Sequence, residues 1–456
     1  MAHRARWPLV PEDLLPDSIV SGTGARVCNE NAPEARQRAR QNDREMTTLE
    51  FPESLAPALD AIVAVDEPYE GVYLVGGTVR DILLGERNFD VDVVVEGDAI
   101  ALARAVAGKL DGRVRAHKKF GTAVVLYGDD ERLDLVTARS ETYHAPAALP
   151  TVSPGTIEED LHRRDFTINA MAVSLKGENL GELVDPFEGR ADLQAGRIRV
   201  LHDRSFIDDP TRILRAIRYE DRYGFRMDEH TVELARDCVA TGHVGDLSGA
   251  RLRDELMALL EEGDVSHAIP RLAELGAEKE VHPHVVADQE AVRLFDRLRE
   301  LNERYRLGVP AWRLGLEALA RRVPPAEIDE WLHGLKVRNR DIEQIEGAIV
   351  QGPRIAEGLS RDSLTRADVF VLAAPRDPDA PLFALALTDS THLHEYFGRL
   401  RGTRLEVTGA DIAELGLGES PRVGEILGEL RRRKLNGELD GRESELAAAR
   451  ELVEQS

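Results

Sequence analysis

The stretch that most constrains this chain is Gly71–Val95, GVYLVGGTVRDILLGERNFDVDVVV. Val72–Val75 is a short apolar run that reads as a buried strand. Gly76 and Gly77 follow as a turn, where the lack of a Cβ lets backbone approach a ligand closely. Thr78–Leu84 has helical spacing, and Gly85 is a natural helix stop. Phe89–Val95 then reads as a second strand. Side chains alternate across a strand, so Asp90 and Asp92 share one face while Val91 and Val93 take the other. Two carboxylates side by side repel each other unless they share a cation. Mg²⁺ suits such a pair, because it takes oxygen ligands and commonly combines one or two carboxylates with substrate phosphates. The bland alternative is an edge strand with solvated acids; the apolar Val93–Val95 run argues against an edge.

The rest of the chain sets limits. Its 456 residues allow two to four domains. No run of 18 apolar residues occurs, so the sequence offers no membrane-spanning helix. Residues 1–45 are polar and arginine-rich, without an apolar signal core, and are expected to be a disordered extension. Two cysteines, Cys28 and Cys238, suggest neither a disulfide framework nor a zinc site, which fits a reducing cytoplasm. The thirteen histidines show no metal-ligand spacing, and His282 and His284, flanking Pro283, read as a surface loop. A net charge of −24 argues against generalised nucleic-acid binding. The balance reverses locally: Arg197–Arg226 holds eight arginines against five acids.

Residues 50–67 read as an amphipathic lead-in helix and Ala99–Leu110 as a second helix. Arg113–Leu126 reads as two strands around His117–Thr122. Leu133–Thr137 is a further strand with one acid inside an apolar run. Burying an unpaired carboxylate is expensive. Asp134 therefore either faces solvent or, the favoured reading, joins Asp90 and Asp92. Ala138–Gly155, with three prolines and no periodicity, reads as a mobile loop. From Val200 the pattern is helical to about residue 370, and from Arg404 the tail is helical again.

Taken together, GGTVRD, DVD, RRDFTINAMA at 163–172 and DPTRILRAIRYEDRYGF at 209–225 resemble the class II nucleotidyltransferases of the tRNA CCA-adding and bacterial poly(A) polymerase family. The resemblance implies an α+β chain: a nucleotidyltransferase-type mixed-sheet head at 46–175, then an all-α neck at 176–262, body at 263–370 and tail at 371–456. It implies template-independent addition of CMP, CMP and AMP from CTP and ATP to a tRNA 3′ end, with Mg²⁺ held by Asp90 and Asp92. Asp134 is implied as the third catalytic carboxylate, and Gly77, Arg80, Arg164, Arg215 and Arg218 as nucleotide contacts. A-only, CC-only or poly(A) addition remain open alternatives, as does a nucleotide-binding regulator without catalysis.

Asp209 and Arg212 have two readings. Asp before proline is a helix N-cap. A carboxylate beside a guanidinium also sets acceptors next to donors, which matches the Watson–Crick edges of cytosine and adenine and mismatches uracil and guanine. Arg399, Arg401, Arg404 and the 431–434 run are candidate phosphate contacts in the tail.

Overall fold

The computed structural model describes residues 49, 51–65, 69–86, 90–129, 131–361, 363–418 and 420–455. The expected 1–45 extension lies outside them. Two compact units emerge: one of residues up to 247 plus 262–280, the other of 248–261 plus 281–456.

The first unit is built on a seven-stranded sheet. Helix α1 (Ala56–Val63) leads in, and β1 (Gly71–Val75) is followed by helix α2 (Gly77–Leu84) and β2 (Val91–Glu96). Helix α3 (Ala99–Leu110) precedes β3 (Arg113–His117), β4 (Thr122–Tyr127) and β5 (Glu131–Thr137). The strand order is β3-β4-β5-β2-β1, completed by β8 (Ala172–Ser174) and β9 (Leu183–Val184). The β2–β5 pair is parallel and its neighbours are antiparallel, so the sheet is mixed. Val72, Val93, Val95, Leu133 and Leu135 are essentially inaccessible to solvent, which places β2 and β5 at the centre, as the unbroken apolar runs demand.

Local chemistry explains the element ends. Asp98 caps α3 by accepting from the Ile100 and Ala101 amides. Gly85 ends α2 in the left-handed conformation at φ 77°. The segment read as a mobile loop is instead a hairpin of β6 (Arg139–Thr142) and β7 (Thr151–Pro154). Its prolines did not forbid pairing, because Pro154 stands at the last rung, where a missing N–H costs little.

Helix α4 (Ile157–His162) begins with a capping box, Thr156 with Glu159. Helix α5 (Gly189–Ala195) precedes β10 (Arg197–Ile198), and helices α6 (Ser205–Asp208) and α7 (Thr211–Tyr223) lead to β11 (Arg226–Met227), which pairs in parallel with β10. The second unit is helical. Its C-terminal part has its own core of Val407, Ile412, Ile426, Leu430, Ala448 and Ala449. No helix among the described residues is long and apolar enough to cross a membrane.

Candidate active site

Two of the three candidate carboxylates stand on the two central strands, with the third beside them. Asp92 in β2 is directly opposite Asp134 in β5, and Asp90 lies exposed just ahead of β2 rather than inside it. Thr78 of α2 fixes this corner: its hydroxyl donates to the Asp90 carbonyl at 2.6 Å and accepts from the Asp92 amide at 3.2 Å. Burial, reinforced by the charges of Asp134 and Asp90, raises the pKa of Asp92 to about 6, against the pull of Arg164. Arg132 holds Asp134 through two N–H groups, at 2.6 and 2.9 Å.

This donor set fits a hard divalent cation. The acids are oxygen ligands from rigid strands, and the cost of leaving Asp92 ionised in their company is what a bound dication would remove. Asp90 and Asp92 are the residues that would hold it.

The Gly76–Gly77 turn opens beside these acids. Gly76 has φ 66°, and a Cβ there would run into the Arg164 guanidinium. Gly77 begins α2, so its end of the helix presents free amides suited to phosphate. Arg164 lies over the turn, anchored to the buried carboxylate of Asp160 at 2.9 Å. Arg163 binds the other oxygen of Asp160 at 2.7 Å and also reaches Glu141 of β6. Burial alone would raise the Asp160 pKa, but Arg164 and Arg163 outweigh it and hold it low.

Arg80 is deeper. Its guanidinium donates to Asn169 and Asp81 and lies 4.8 Å from the centre of the Tyr223 ring. One of its terminal nitrogens sits 3.3 Å from where a Cβ on Gly77 would be, so Arg80 supports the turn from within.

The base-reading candidates surround the start of α7. Asp209 accepts from the Thr211 amide at 3.0 Å and from its hydroxyl, and stands just before the helix rather than on its face. Arg212 is buried and donates to the Ser205 hydroxyl at 2.6 Å and the Arg163 carbonyl at 2.8 Å. Two of its five N–H groups are so used, leaving three for a ligand. Arg212 lines a cavity of about 640 Å³ together with Asp208, Glu141, Tyr143, His162 and His202. The two imidazoles are stacked, with centroids 5.2 Å apart.

Arg215 is bound by Asp165, with contacts of 2.9 and 2.7 Å, and by the Tyr219 hydroxyl. Burial would raise the Asp165 pKa, yet Arg215 and Asn169 bring it down to about 2. Arg218 lies over the Tyr219 ring and 3.9 Å from Glu262. Thr78, Asp160, Asp165 and Asn169 escaped sequence reading. Only the RRD triplet and the capping box hinted at them, because their roles depend on contacts across the fold.

The histidines hold one surprise: His282, His284 and Glu327 place a ligand atom each within 4.8 Å of the others, the one such His/Cys/Asp/Glu group among the described residues. Glu327 comes from a helix 43 residues away, so no spacing rule could reveal it. The His284 amide donates to His282 Nδ1, and Glu327 binds His284 at 2.9 Å, so these groups satisfy one another. Cys238 is buried and free.

Comparison with known proteins agrees with this architecture. Residues 72–199 match the poly A polymerase head domain, and 224–289 match a probable RNA and SrmB-binding site of polymerase A. An A-adding tRNA nucleotidyltransferase of Halalkalibacterium halodurans is 35% identical over 394 residues, covering 84% of this chain and 88% of the relative. A Geobacter sulfurreducens protein of the same description is 37% identical over 407 residues; 85% of this chain is covered, and the chain spans about half, 46%, of that longer relative. The structure of a Thermotoga maritima CCA-adding enzyme complexed with tRNA superposes with a TM-score of 0.69 at 32% identity, covering 84% of this chain and 91% of that one. With the mixed-sheet head and its paired acids in place, the chain belongs to the class II tRNA nucleotidyltransferase family.

Proposed function

We propose that this protein transfers nucleoside monophosphates from nucleoside triphosphates to the 3′ end of tRNA, and that the nucleotide it adds is the terminal A. The observation that carries the reaction type is the Asp92–Asp134 pair on β2 and β5, with Asp90 beside it, next to a glycine turn and Arg164. The choice of A is supported by two relatives of 37% and 35% identity matched over most of this chain, both described as A-adding; a CC-adding relative matched as widely is less similar, at 29%. Full CCA addition is the second reading, supported by the resemblance to the Thermotoga enzyme.

In the reaction, the RNA 3′ oxygen forms a bond to the α-phosphorus as the bond to the pyrophosphate oxygen breaks. Asp90 and Asp92 would hold a divalent ion, which would supply charge neutralisation at the reacting phosphate. The Gly77 amide at the start of α2 and Arg164 orient the triphosphate, while the Gly76 amide donates to the Met171 carbonyl and Arg80 and Asn169 hold that turn in place. Asp134, opposite Asp92, takes the hydroxyl proton once its Arg132 contact opens; its place in the acid cluster supports this role. Asp209 and Arg212 face the base edge, accepting from the exocyclic amine and donating to the neighbouring ring nitrogen. Positioning and electrostatics supply most of the rate in such transfers.

The test offers purified protein three tRNA transcripts, ending before CCA, after C and after CC, each with labelled CTP or ATP. A-addition predicts incorporation only of ATP and only on the transcript ending in CC. Incorporation of CTP on the shorter transcripts together with ATP on the one ending in CC would establish the second reading, CTP alone would mean CC addition and defeat both, and so would no incorporation on any transcript.

A further inference from the structure

The second unit holds a cavity of about 490 Å³ lined by Arg399, Arg401, Arg404, Arg431, Phe370 and Asp377, among others. Its charge is unusual for this chain, which carries 83 acids against 59 lysines and arginines. Most arginines nearby are spent on carboxylates: Arg432 and Arg433 both bind Glu429. Three of the four facing the cavity are not. The Arg399 guanidinium makes no hydrogen bond or ion pair with any described residue. Arg431 lies over the Phe370 ring at 4.6 Å, and its Nε is buried without a partner. A buried guanidinium N–H without an acceptor costs free energy that a ligand oxygen would recover. The one carboxylate in the lining, Asp377, is already occupied by the Arg401 Nε at 2.8 Å and the Tyr396 hydroxyl at 3.1 Å. Arg404 donates to the Arg401 and Thr403 carbonyls, which holds its loop in shape and leaves other N–H groups for a ligand.

We propose that this cavity binds a nucleoside monophosphate group, with the phosphate on Arg399 and Arg404 and the base against the Arg431–Phe370 stack. Guanidinium forks match phosphate oxygens, and a guanidinium plane backed by an aromatic ring is a platform for an unstacked base. The volume suits a group of that size and is larger than a bare anion needs. The nucleotide has two possible sources: an unpaired residue of bound RNA, which rests on the function proposed above, or a free nucleoside phosphate.

The test uses the full chain and the Arg399→Ala/Arg431→Ala variant, with Arg431→Lys as a conservative control. RNA affinity is read by fluorescence anisotropy with a labelled tRNA transcript, which needs no turnover, and AMP binding by calorimetry. With RNA as the source, the double variant binds tRNA at least about tenfold more weakly, and its slope of log affinity against log salt shrinks by roughly 0.7 per lost phosphate contact. Arg431→Lys keeps the salt slope and loses the stacking part of the affinity. With a free nucleotide as the source, the wild type binds an AMP equivalent that the variant loses, while tRNA affinity stays unchanged. Wild-type tRNA affinity, salt slope and AMP stoichiometry in a variant with an unchanged melting temperature would overturn the proposal. Failure of the incorporation assay would count against the proposed function instead, because neither binding readout depends on it.

Discussion

At the scale of single residues the site is governed by the cost of charge. Asp92 has its pKa raised from 3.8 to about 6, so the folded protein holds its proton more tightly than the unfolded chain does. Stability must therefore fall as pH rises from about 4 to about 6, by an amount on the order of 3 kcal/mol from this group. Denaturant titrations at pH 4 and 7 should show a smaller fall in Asp92→Asn than in the wild type, and Mg²⁺ should stabilise the wild type but not the variant at pH 7; Asp221, raised to about 7 by burial and by Asp264 and Glu262, contributes a share that neither change removes. The same substitution should end nucleotide incorporation and leave tRNA affinity intact. Gly76 is constrained by backbone and neighbour together. Gly76→Ala should cost about 1–3 kcal/mol in chemical denaturation, since it meets both a left-handed φ and the Arg164 guanidinium. Arg212→Ala should cost about 1–3 kcal/mol, because Ser205 and the Arg163 carbonyl lose a buried donor, and in the folded protein it should let UTP or GTP compete with ATP in a mixed-nucleotide assay. Retention of full selectivity would remove Arg212 from base reading.

At the scale of elements, the strands that carry the acids were legible because their side chains obey a strict alternation and their apolar runs are long. Helix α3 was legible at both ends, from an aspartate cap and a falling-off of alanine and leucine. The β6–β7 hairpin was not, because its pairing is set by Ala138 and Gly155 meeting across the base of the ribbon, a contact between residues 17 apart. Nor could sequence show that Asp165 joins α7 to the loop before β8, through Arg215 on one side and Asn169 on the other. Asn169 in turn receives Arg80, so one buried carboxylate indirectly steadies the glycine turn. Removing one partner of a buried ion pair strands the other. Asp165→Ala should cost roughly 3 kcal/mol or more, and it should raise the KM for ATP in whatever folded fraction remains. A variant with wild-type melting temperature and KM would show that this relay does not matter.

At the scale of the whole molecule, a chain of net charge −24 must concentrate its attraction for RNA in a few places. Binding should weaken steeply between about 50 and 200 mM salt if several phosphates are neutralised. A shallow dependence would mean recognition rests on few ionic contacts. The chain divides into two compact units, so calorimetry should resolve more than one unfolding transition. The parallel pairing of β2 and β5 has a temporal consequence. Asp92 and Asp134 become neighbours only after the chain between them, including α3, β3 and β4, has been threaded into place. On a growing polypeptide Asp134 can join Asp90 and Asp92 only after residue 137 has cleared the ribosome, so the set of three carboxylates is completed late, on a finished sheet.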